Sequence, residues 1–156
     1  MATTYSTQNY ANNVPAFTGH GDWTGSFHLH AISGSISTWA AGDTINIGYL
    51  PKNAVVVSCT LKAASQLDSN GSPTLTLSLG VTGTTTLFKN AITTVGRAAG
   101  VSADQPLAAA GALYKNLSGA KIAVLATVGT AAATAVAGTL EVDIEFYVED
   151  LGGSNP

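Results

Sequence analysis

Two histidines, His28 and His30, are the residues whose type and spacing could most readily do chemistry in this chain. Alternate residues of a β-strand point to the same side, so both imidazoles could meet one metal ion. Small β-barrel metalloenzymes with such a pair also need a glutamate shortly after it and a third histidine on a later strand. Here His20 precedes the pair, and the first glutamate of the chain is Glu141. We therefore interpret the pair as two histidines on a polar sheet face and predict no metal ligands.

A short polar segment around Asp68 is the second candidate. Asp68 and Asn70 have the spacing of the first oxygen ligands of a calcium loop. An EF-hand closes with a glutamate at its twelfth position, where this chain has Leu79. Short polar side chains followed by Gly71 are typical of a turn, and a turn is the interpretation we prefer.

Three carboxylates, Glu141, Asp143 and Glu145, alternate along the last strand-like stretch of the chain. A glycosidase needs two carboxylates that face each other across a cleft, usually from different strands. These three share one strand face and have no facing partner in the sequence. The pattern therefore predicts a polar sheet face, either exposed or set against a neighbouring subunit.

The single cysteine, Cys59, is expected to be a small buried hydrophobe rather than a nucleophile. It falls in the inward phase of Val55, Val57, Cys59 and Leu61 in a strand-like run. The chain contains no nucleophile elbow, phosphate loop or paired Ser/His/Asp grouping. We predict no catalytic residues, no cofactor and no enzymatic activity.

Composition excludes several classes of partner. Of the 156 residues 46% are apolar and only 10% are charged, against about 25% charged in an ordinary globular domain. Such weakly charged chains suit surfaces that pack against neighbours. The six basic residues are scattered and the net charge is −3, so a nucleic-acid interface is not expected. No apolar run approaches the roughly 20 residues that a membrane-spanning helix needs.

The elements that must position these residues are β-strands. Strand-like runs with alternating apolar residues lie at 27–31, 45–49, 55–63, 74–80, 84–89, 91–95, 121–128 and 139–150. Turn signals between them at short intervals predict an all-β fold. We predict a jelly-roll-like β-sandwich of about eight strands, with an immunoglobulin-like sandwich as the alternative.

The final run shows the alternation most clearly. Its inward residues are Leu140, Val142, Ile144, Phe146 and Val148. The least strand-like part is 98–117, expected to be a long loop or to carry a short helical turn near 107–114. The Ala-rich segment 130–137 is interpreted as a connection between two strands, despite the helix propensity of alanine.

Residues 1–25 differ from the body, 26–156, because they are rich in Thr, Asn, Gly and Ser and show no regular period. We interpret them as an extended N-terminal arm. Its spaced aromatic residues could anchor it to a partner chain, since aromatic anchors dominate interface energetics. The candidate anchors are Tyr5, Tyr10, Phe17 and Trp23.

Two stretches resemble a known family. VSCTLKAASQLDSNGSPTLTLSLG (57–80) and TAAATAVAGTLEVDIEFYVED (130–150) are similar to the head decoration, or capsid cement, proteins of tailed bacteriophages. The resemblance spans roughly the last two thirds of the chain and rests on strand and turn phrasing. It implies a β-sandwich, often trimeric, on the outer surface of the virion, made in the host cytoplasm. The implied partners are major capsid protein subunits, which it bridges, and its own copies.

The expected function is therefore that of a virion structural protein that stabilises the phage head. The first alternative is a structural or carbohydrate-binding β-domain of a phage fibre or tail, which would cluster exposed aromatic residues on the body. The second is a metalloenzyme of the cupin type, which the missing ligands disfavour.

Overall fold

The structure, a computed structural model, describes residues 4–6, 27–98, 102–103 and 111–149, with the backbone alone for 4–6 and 102–103. Nine β-strands dominate the secondary structure of these residues. They are β1 (Thr4–Ser6), β2 (Phe27–Ile32), β3 (Thr44–Leu50), β4 (Ala54–Ala63), β5 (Thr76–Val81), β6 (Thr84–Ile92), β7 (Ser102–Ala103), β8 (Ile122–Thr130) and β9 (Leu140–Val148).

The strands form two sheets with the orders β1-β3-β8-β5-β6 and β2-β9-β4-β7. Apart from the short β1, they occupy the eight positions of a jelly roll, in which β2 and β3, β4 and β5, and β8 and β9 lie in different sheets. An immunoglobulin-like sandwich would pair its last two strands within one sheet. The predicted jelly-roll-like sandwich is confirmed, and its topology is not that of the immunoglobulin-like alternative.

Strand pairing is antiparallel except at one edge. β1 runs parallel to β3, with Tyr5 opposite Ile45. On the other sheet β9 is central and pairs with both β2 and β4. Because cross-strand neighbours point to the same side, this register sets which side chains share a face.

Alternation along the strands fills the space between the sheets with apolar side chains. In β9, Leu140, Val142, Ile144 and Phe146 are buried, as predicted, and Val148 is half-buried. Each fully buried Leu, Ile, Val or Phe contributes roughly 1.5–3 kcal/mol relative to an exposed one. The period-two pattern of the sequence thus becomes one continuous core.

One inward assignment in β4 was wrong. The strand bulges between Val56 and Ser58, so the alternation shifts there. Val57 is consequently 42% exposed, whereas Cys59 and Leu61 remain buried as predicted.

The less regular segments follow the prediction in part. β6 is one strand where two were predicted, and Ala91 within it has a left-handed φ of 48°. A turn closes where the Tyr114 amide donates to the Gly111 carbonyl at 3.2 Å, while residues 104–110 lie outside the described residues. Residues 131–139 connect β8 to β9, as predicted.

Loops gather at two ends of the sandwich. The first, which we call the Asp68 end, contains loops 33–43, 64–75 and 131–139. Backbone hydrogen bonds join these loops, for example from Ile36 N to Gly138 O at 2.8 Å and from Ser69 N to Thr134 O at 3.0 Å.

The second, the Asn116 end, contains the β3–β4 turn, the β5–β6 turn and the loop 111–121 that precedes β8. The Asn53 amide donates to the Asn116 carbonyl at 3.0 Å, and the Thr82 amide donates to the Ala123 carbonyl at 3.0 Å. Each end is therefore a connected set of loops rather than separate turns.

Candidate functional site

The two histidines lie where the sequence analysis placed them, on the outer face of β2. Leu29 and Ala31, the intervening and following residues, are buried. His28 Nδ1 lies 2.9 Å from Asp143 Oδ1, and His30 Nε2 lies 3.1 Å from Glu141 Oε1. Each imidazole thus pairs with a carboxylate of the neighbouring strand β9.

The polar face continues onto β4. The Ser58 hydroxyl donates to Glu145 Oε2 at 3.2 Å, and Lys62 Nζ lies 3.4 Å from Glu141 Oε2. The register explains the grouping, since Glu145 is opposite Ser58 and Glu141 is opposite Lys62. We call this surface the histidine–acid face, formed by His28, His30, Ser58, Lys62, Glu141, Asp143 and Glu145.

Charge on the histidine–acid face depends on the histidines. Three carboxylates and one ammonium give a net charge of −2 when both histidines are neutral. The hydrogen bond to Asp143 raises the pKa of His28 and outweighs the opposing effect of burial. The hydrogen bond with His30 lowers the pKa of Glu141, and Lys62 lowers it further. The face is therefore internally paired.

No metal centre is formed by this arrangement. Among the described residues, no group of three or more His, Cys, Asp or Glu side chains could hold a metal ion. His28 and His30 point away from the interior of the jelly roll, where apolar side chains pack. The histidine pair thus does not form the site that a cupin-type metalloenzyme would need.

Cys59 lies in the core, 4% exposed. Burial raises the pKa of its thiol to about 11, although the charge of the nearby Lys89 opposes the shift. A thiol with so high a pKa stays protonated at neutral pH and is a poor nucleophile. Lys89 is itself buried, and its ammonium has no hydrogen-bond partner among the described residues.

Asp68 is the central side chain of the Asp68 end. It is fully buried, and its carboxylate accepts hydrogen bonds from five backbone amides in two loops. The donors are Asn70 at 3.3 Å, Thr74 at 2.8 Å, Leu75 at 3.1 Å, Ala133 at 3.0 Å and Thr134 at 3.0 Å. The predicted turn is confirmed, and its aspartate also ties loop 64–75 to loop 131–139.

The same bonds determine the protonation of Asp68. Burial alone would favour the neutral acid, but the amides of Thr134, Ala133, Leu75 and Thr74 outweigh it and lower the pKa of the carboxyl far below its usual range. Among the described residues, the buried charge is thus stabilised by N–H dipoles.

Asn116 performs the corresponding role at the other end with a neutral side chain. It is fully buried, and its Nδ2 donates to the carbonyls of Leu50, Pro51 and Ala120 at 3.3, 2.9 and 2.8 Å. Its Oδ1 accepts from the Ser118 amide at 3.1 Å and hydroxyl at 2.7 Å. The loop before β8 is therefore held in one conformation.

That loop presents the most exposed large apolar side chains of the described residues. Leu117 is 73% exposed and Leu113 is 65% exposed. Leu113 also has a left-handed φ of 54°, which costs about 1–2 kcal/mol for a residue with a branched side chain. The sequence predicted a loop region for both leucines but did not predict that their side chains would be exposed. The only feature that could have indicated it is the presence of leucine in a segment rich in Ala, Gly and Ser.

The candidate arm anchors are described only in part. Tyr5 lies in β1, whose backbone pairs with β3. Tyr10, Phe17 and Trp23 lie outside the described residues. The structure therefore does not test their role as anchors.

In the parts of the chain that the structure describes, there is no helix of the length and apolar character that would cross a membrane.

The chain is similar to chains of two phage capsids whose structures are known. The chain is similar to a chain of the cyanophage Pam1 capsid asymmetric unit, with a TM-score of 0.65 and 28% identity, covering 89% of this chain and 96% of that one. It is also similar to a chain of the capsid of Ralstonia phage GP4, with a TM-score of 0.68 and 26% identity, covering 96% of this chain and 100% of that one. No protein-family model and no curated protein matches the chain.

Both similarities extend over nearly the full length of each chain, so they concern the complete jelly roll and not one motif. They support a phage capsid-related protein with a structural role in the virion.

Proposed function

We propose that this protein is a capsid decoration protein that binds the outside of a phage head and stabilises it by bridging major capsid subunits. The observation that carries the proposal is the whole-chain similarity to chains of two phage capsids. The protein acts as a homotrimer and needs neither cofactor nor catalysis for this role.

The physical properties of the body fit such a task. A jelly roll held at both loop ends by buried polar side chains is a rigid unit, so it loses little conformational freedom on binding. Only 10% of the residues of the chain are charged, which favours close packing against neighbours. Binding to the assembled shell and not to its separated subunits stabilises the shell by mass action.

The arm, residues 1–25, is proposed to extend the contact. Tyr5, Tyr10, Phe17 and Trp23 are its proposed anchors on a neighbouring chain. In the structure β1 forms the edge of its sheet beside β3, which supports a capacity of this segment for strand pairing through main-chain hydrogen bonds.

The alternatives lack a supporting observation. A carbohydrate-binding domain would expose aromatic rings, but every Phe, Tyr and Trp side chain of the described body is buried or half-buried. A cupin-type metalloenzyme would need ligands pointing into the roll, and the histidine pair points outward.

Co-sedimentation with purified heads that lack the protein tests the proposal. We expect the full chain to pellet with heads in a saturable manner. Deletion of residues 1–25 should leave the body folded and abolish attachment or trimer formation. A full-length variant with all four anchors changed to alanine should reproduce that loss.

The matched control is Tyr147→Ala, which removes a half-buried aromatic side chain of β9. We expect this variant to bind heads normally. A wild-type chain that stays in the supernatant at every concentration would refute the decoration role. Normal binding and trimer formation by the variant without anchors would refute the role of the arm.

A further inference from the structure

The Asn116 end of the sandwich brings together exposed leucines and exposed lysines. Leu113 and Leu117 of loop 111–121 are the most exposed large apolar side chains of the described residues. Lys121 ends the same loop, Lys52 lies in the adjoining β3–β4 turn, and both of these side chains are exposed. An apolar centre bordered by polar and charged side chains is the usual composition of a protein–protein interface.

The outward side chains of this end are supported from within. Tyr114 packs edge-on against Phe88, with ring centroids 5.7 Å apart. Asn116 is buried and donates to three carbonyls. Lys121 Nζ lies over the Tyr49 ring, 4.4 Å from its centroid. A surface that is fixed before binding loses little conformational freedom when a partner arrives.

Backbone strain draws attention to the side chain of Leu113. Its left-handed φ of 54° is a conformation that glycine or asparagine adopts with less strain. The side chain is 65% exposed, so packing against its own body does not offset that strain. A contact outside the monomer accounts for a large apolar side chain at this position.

The Asn116 end is positively charged, although the net charge of the chain is −3. Glu149 adjoins this end, because its amide donates to the Asn53 carbonyl, and its carboxylate pairs with Lys115. Lys52 and Lys121 have no carboxylate within salt-bridge distance among the described residues. Three ammonium groups and one carboxylate thus give a net charge of +2, and two of the ammonium groups are free to meet carboxylates of a partner.

The described surface of a second copy offers these lysines no free carboxylate. Asp43 and Asp68 are buried. The three carboxylates of the histidine–acid face pair with histidine, lysine and serine side chains of the same face. A contact between two Asn116 ends would set lysines against their own equivalents, which is unfavourable. The described residues therefore favour a different protein as the source of the carboxylates.

We propose that the Asn116 end is the surface with which the body docks on the phage head, and that the patch it covers there is apolar and carries exposed carboxylates. Leu113 and Leu117 are the central anchors, and Lys52 and Lys121 pair with carboxylates at the rim. Two lysines beside two leucines do not form the basic patch that nucleic acid requires, so the partner is a polypeptide. This inference rests on the proposed decoration role and names the docking surface and the chemistry of its counterpart.

Co-sedimentation of the full chain with heads that lack the protein, repeated over a range of salt concentrations, tests the inference. Leu113→Asn with Leu117→Ser should weaken binding at least about tenfold at every salt concentration, because it removes both apolar anchors. Asparagine tolerates the left-handed backbone, so the melting temperature should not change. Leu117→Ser alone, which leaves the strained position untouched, should also weaken binding.

The matched control for the leucines is Ile32→Thr with Val57→Thr, which removes two exposed apolar side chains of the other sheet. This variant should bind heads with the affinity of the wild type.

The lysines are tested one at a time. Lys52→Gln and Lys121→Gln should each weaken binding about two- to fivefold in low salt and make binding less sensitive to salt, because each removes one exposed ion pair. The matched control Lys62→Gln makes the same change in net charge on the histidine–acid face and should leave both affinity and salt dependence unchanged.

The inference and the decoration role fail in different ways. If the wild type binds heads and the leucine variant binds equally well, the inference is wrong and the decoration role stands. If the wild type does not bind heads at any concentration, both are wrong. Lysine variants that keep the full salt dependence of the wild type would refute the acidic counterpart.

Two further measurements distinguish other partners. Solution mass without heads shows whether the leucines join copies of this chain, and a leucine variant that loses an oligomer formed by the wild type would overturn the inference. Treatment of the heads with a nuclease should leave binding unchanged. Binding that disappears after this treatment would assign the lysines to nucleic acid and would also overturn the inference.

Discussion

The loops at the two ends of the sandwich are held together by different kinds of hydrogen bond. Each gathers several loops around one fully buried polar side chain, Asp68 at one end and Asn116 at the other. Asp68 accepts only, from backbone amides, and carries a charge. Asn116 mainly donates, to backbone carbonyls, and is neutral.

The difference follows from what each set of loops leaves unpaired. Loops 64–75 and 131–139 converge with free N–H groups, which need an acceptor with several lone pairs. The turns around Asn116 converge with free carbonyls, which need a donor. The ionised Asp68 makes the hydrogen bonds at its end dependent on pH, whereas the amide side chain of Asn116 does not titrate. The Asn116 end is also the one that exposes Leu113 and Leu117.

The largest expected effect comes from Asp68→Ala. It leaves several buried amides without an acceptor, so we expect a loss of about 3–5 kcal/mol in the free energy of unfolding. Chemical denaturation measures the loss. Hydrogen exchange should accelerate at Ala133 and Thr134 and stay slow at Ser118, at the other end. The control Asp143→Ala removes an exposed carboxylate and should cost no more than about 1 kcal/mol.

Asn116→Ala should cost less, about 2–3 kcal/mol, because the hydrogen bonds lost are between neutral groups and some of the orphaned carbonyls can turn to water. Its exchange pattern should be the reverse, with fast exchange at Ser118 and protection kept at Ala133. The matched control is Asn90→Ala, which removes an exposed asparagine of β6. If Asp68→Ala or Asn116→Ala accelerated hydrogen exchange equally at both ends, the two ends would not be independent.

A fall in pH should weaken the Asp68 end, but not the hydrogen bonds of Asn116, without any mutation. The folded pKa of Asp68 lies below its unfolded value of about 3.9, so its stabilisation is present above that value and is lost as the pH falls. Between pH 5 and pH 3 the wild type should lose more stability than Asp68→Asn, whose side chain does not titrate. Parallel pH profiles for the two proteins would contradict the buried charge.

The smallest effect concerns the histidine–acid face. His28 should titrate above its ordinary pKa of about 6.5. Its pair with Asp143 then stabilises the fold below that value, and this contribution disappears as the pH rises through the folded pKa. The side chains are well exposed, so the contribution stays within about 1 kcal/mol. NMR of the imidazole checks the midpoint.

Asp143→Asn should return the midpoint of His28 towards its ordinary value. Glu149→Gln changes the net charge by the same amount at the far end of the strand and should leave the midpoint in place. An imidazole that titrates alike in all three proteins would show that the pair does not form in solution.

Most of the fold could be predicted from the sequence because side chains on a strand alternate sides. In the last strand that rule predicted one face inside and the other outside. The inward residues are Leu140, Val142, Ile144 and Phe146, and the outward residues are Glu141, Asp143 and Glu145. It could not predict the bulge that exposes Val57, because a bulge depends on how many residues the partner strand sets opposite.

The hydrogen bonds of the two buried polar side chains, Asp68 and Asn116, were less predictable. The turn chemistry around Asp68 was visible, but Ala133 and Thr134 are 65 and 66 residues away. Asn116 bonds to Leu50, 66 residues away, and nothing near it in the sequence marks it as buried. Long-range hydrogen bonds depend on topology and leave no local pattern.

Head stability tests the central claim most directly. Heads of the encoding phage that lack the protein would be heated with and without the purified chain, and DNA release followed with a fluorescent dye. We predict a saturable rise of several degrees in the release temperature, as expected from binding to the assembled shell alone. A release temperature that stays unchanged at saturating protein would contradict the account.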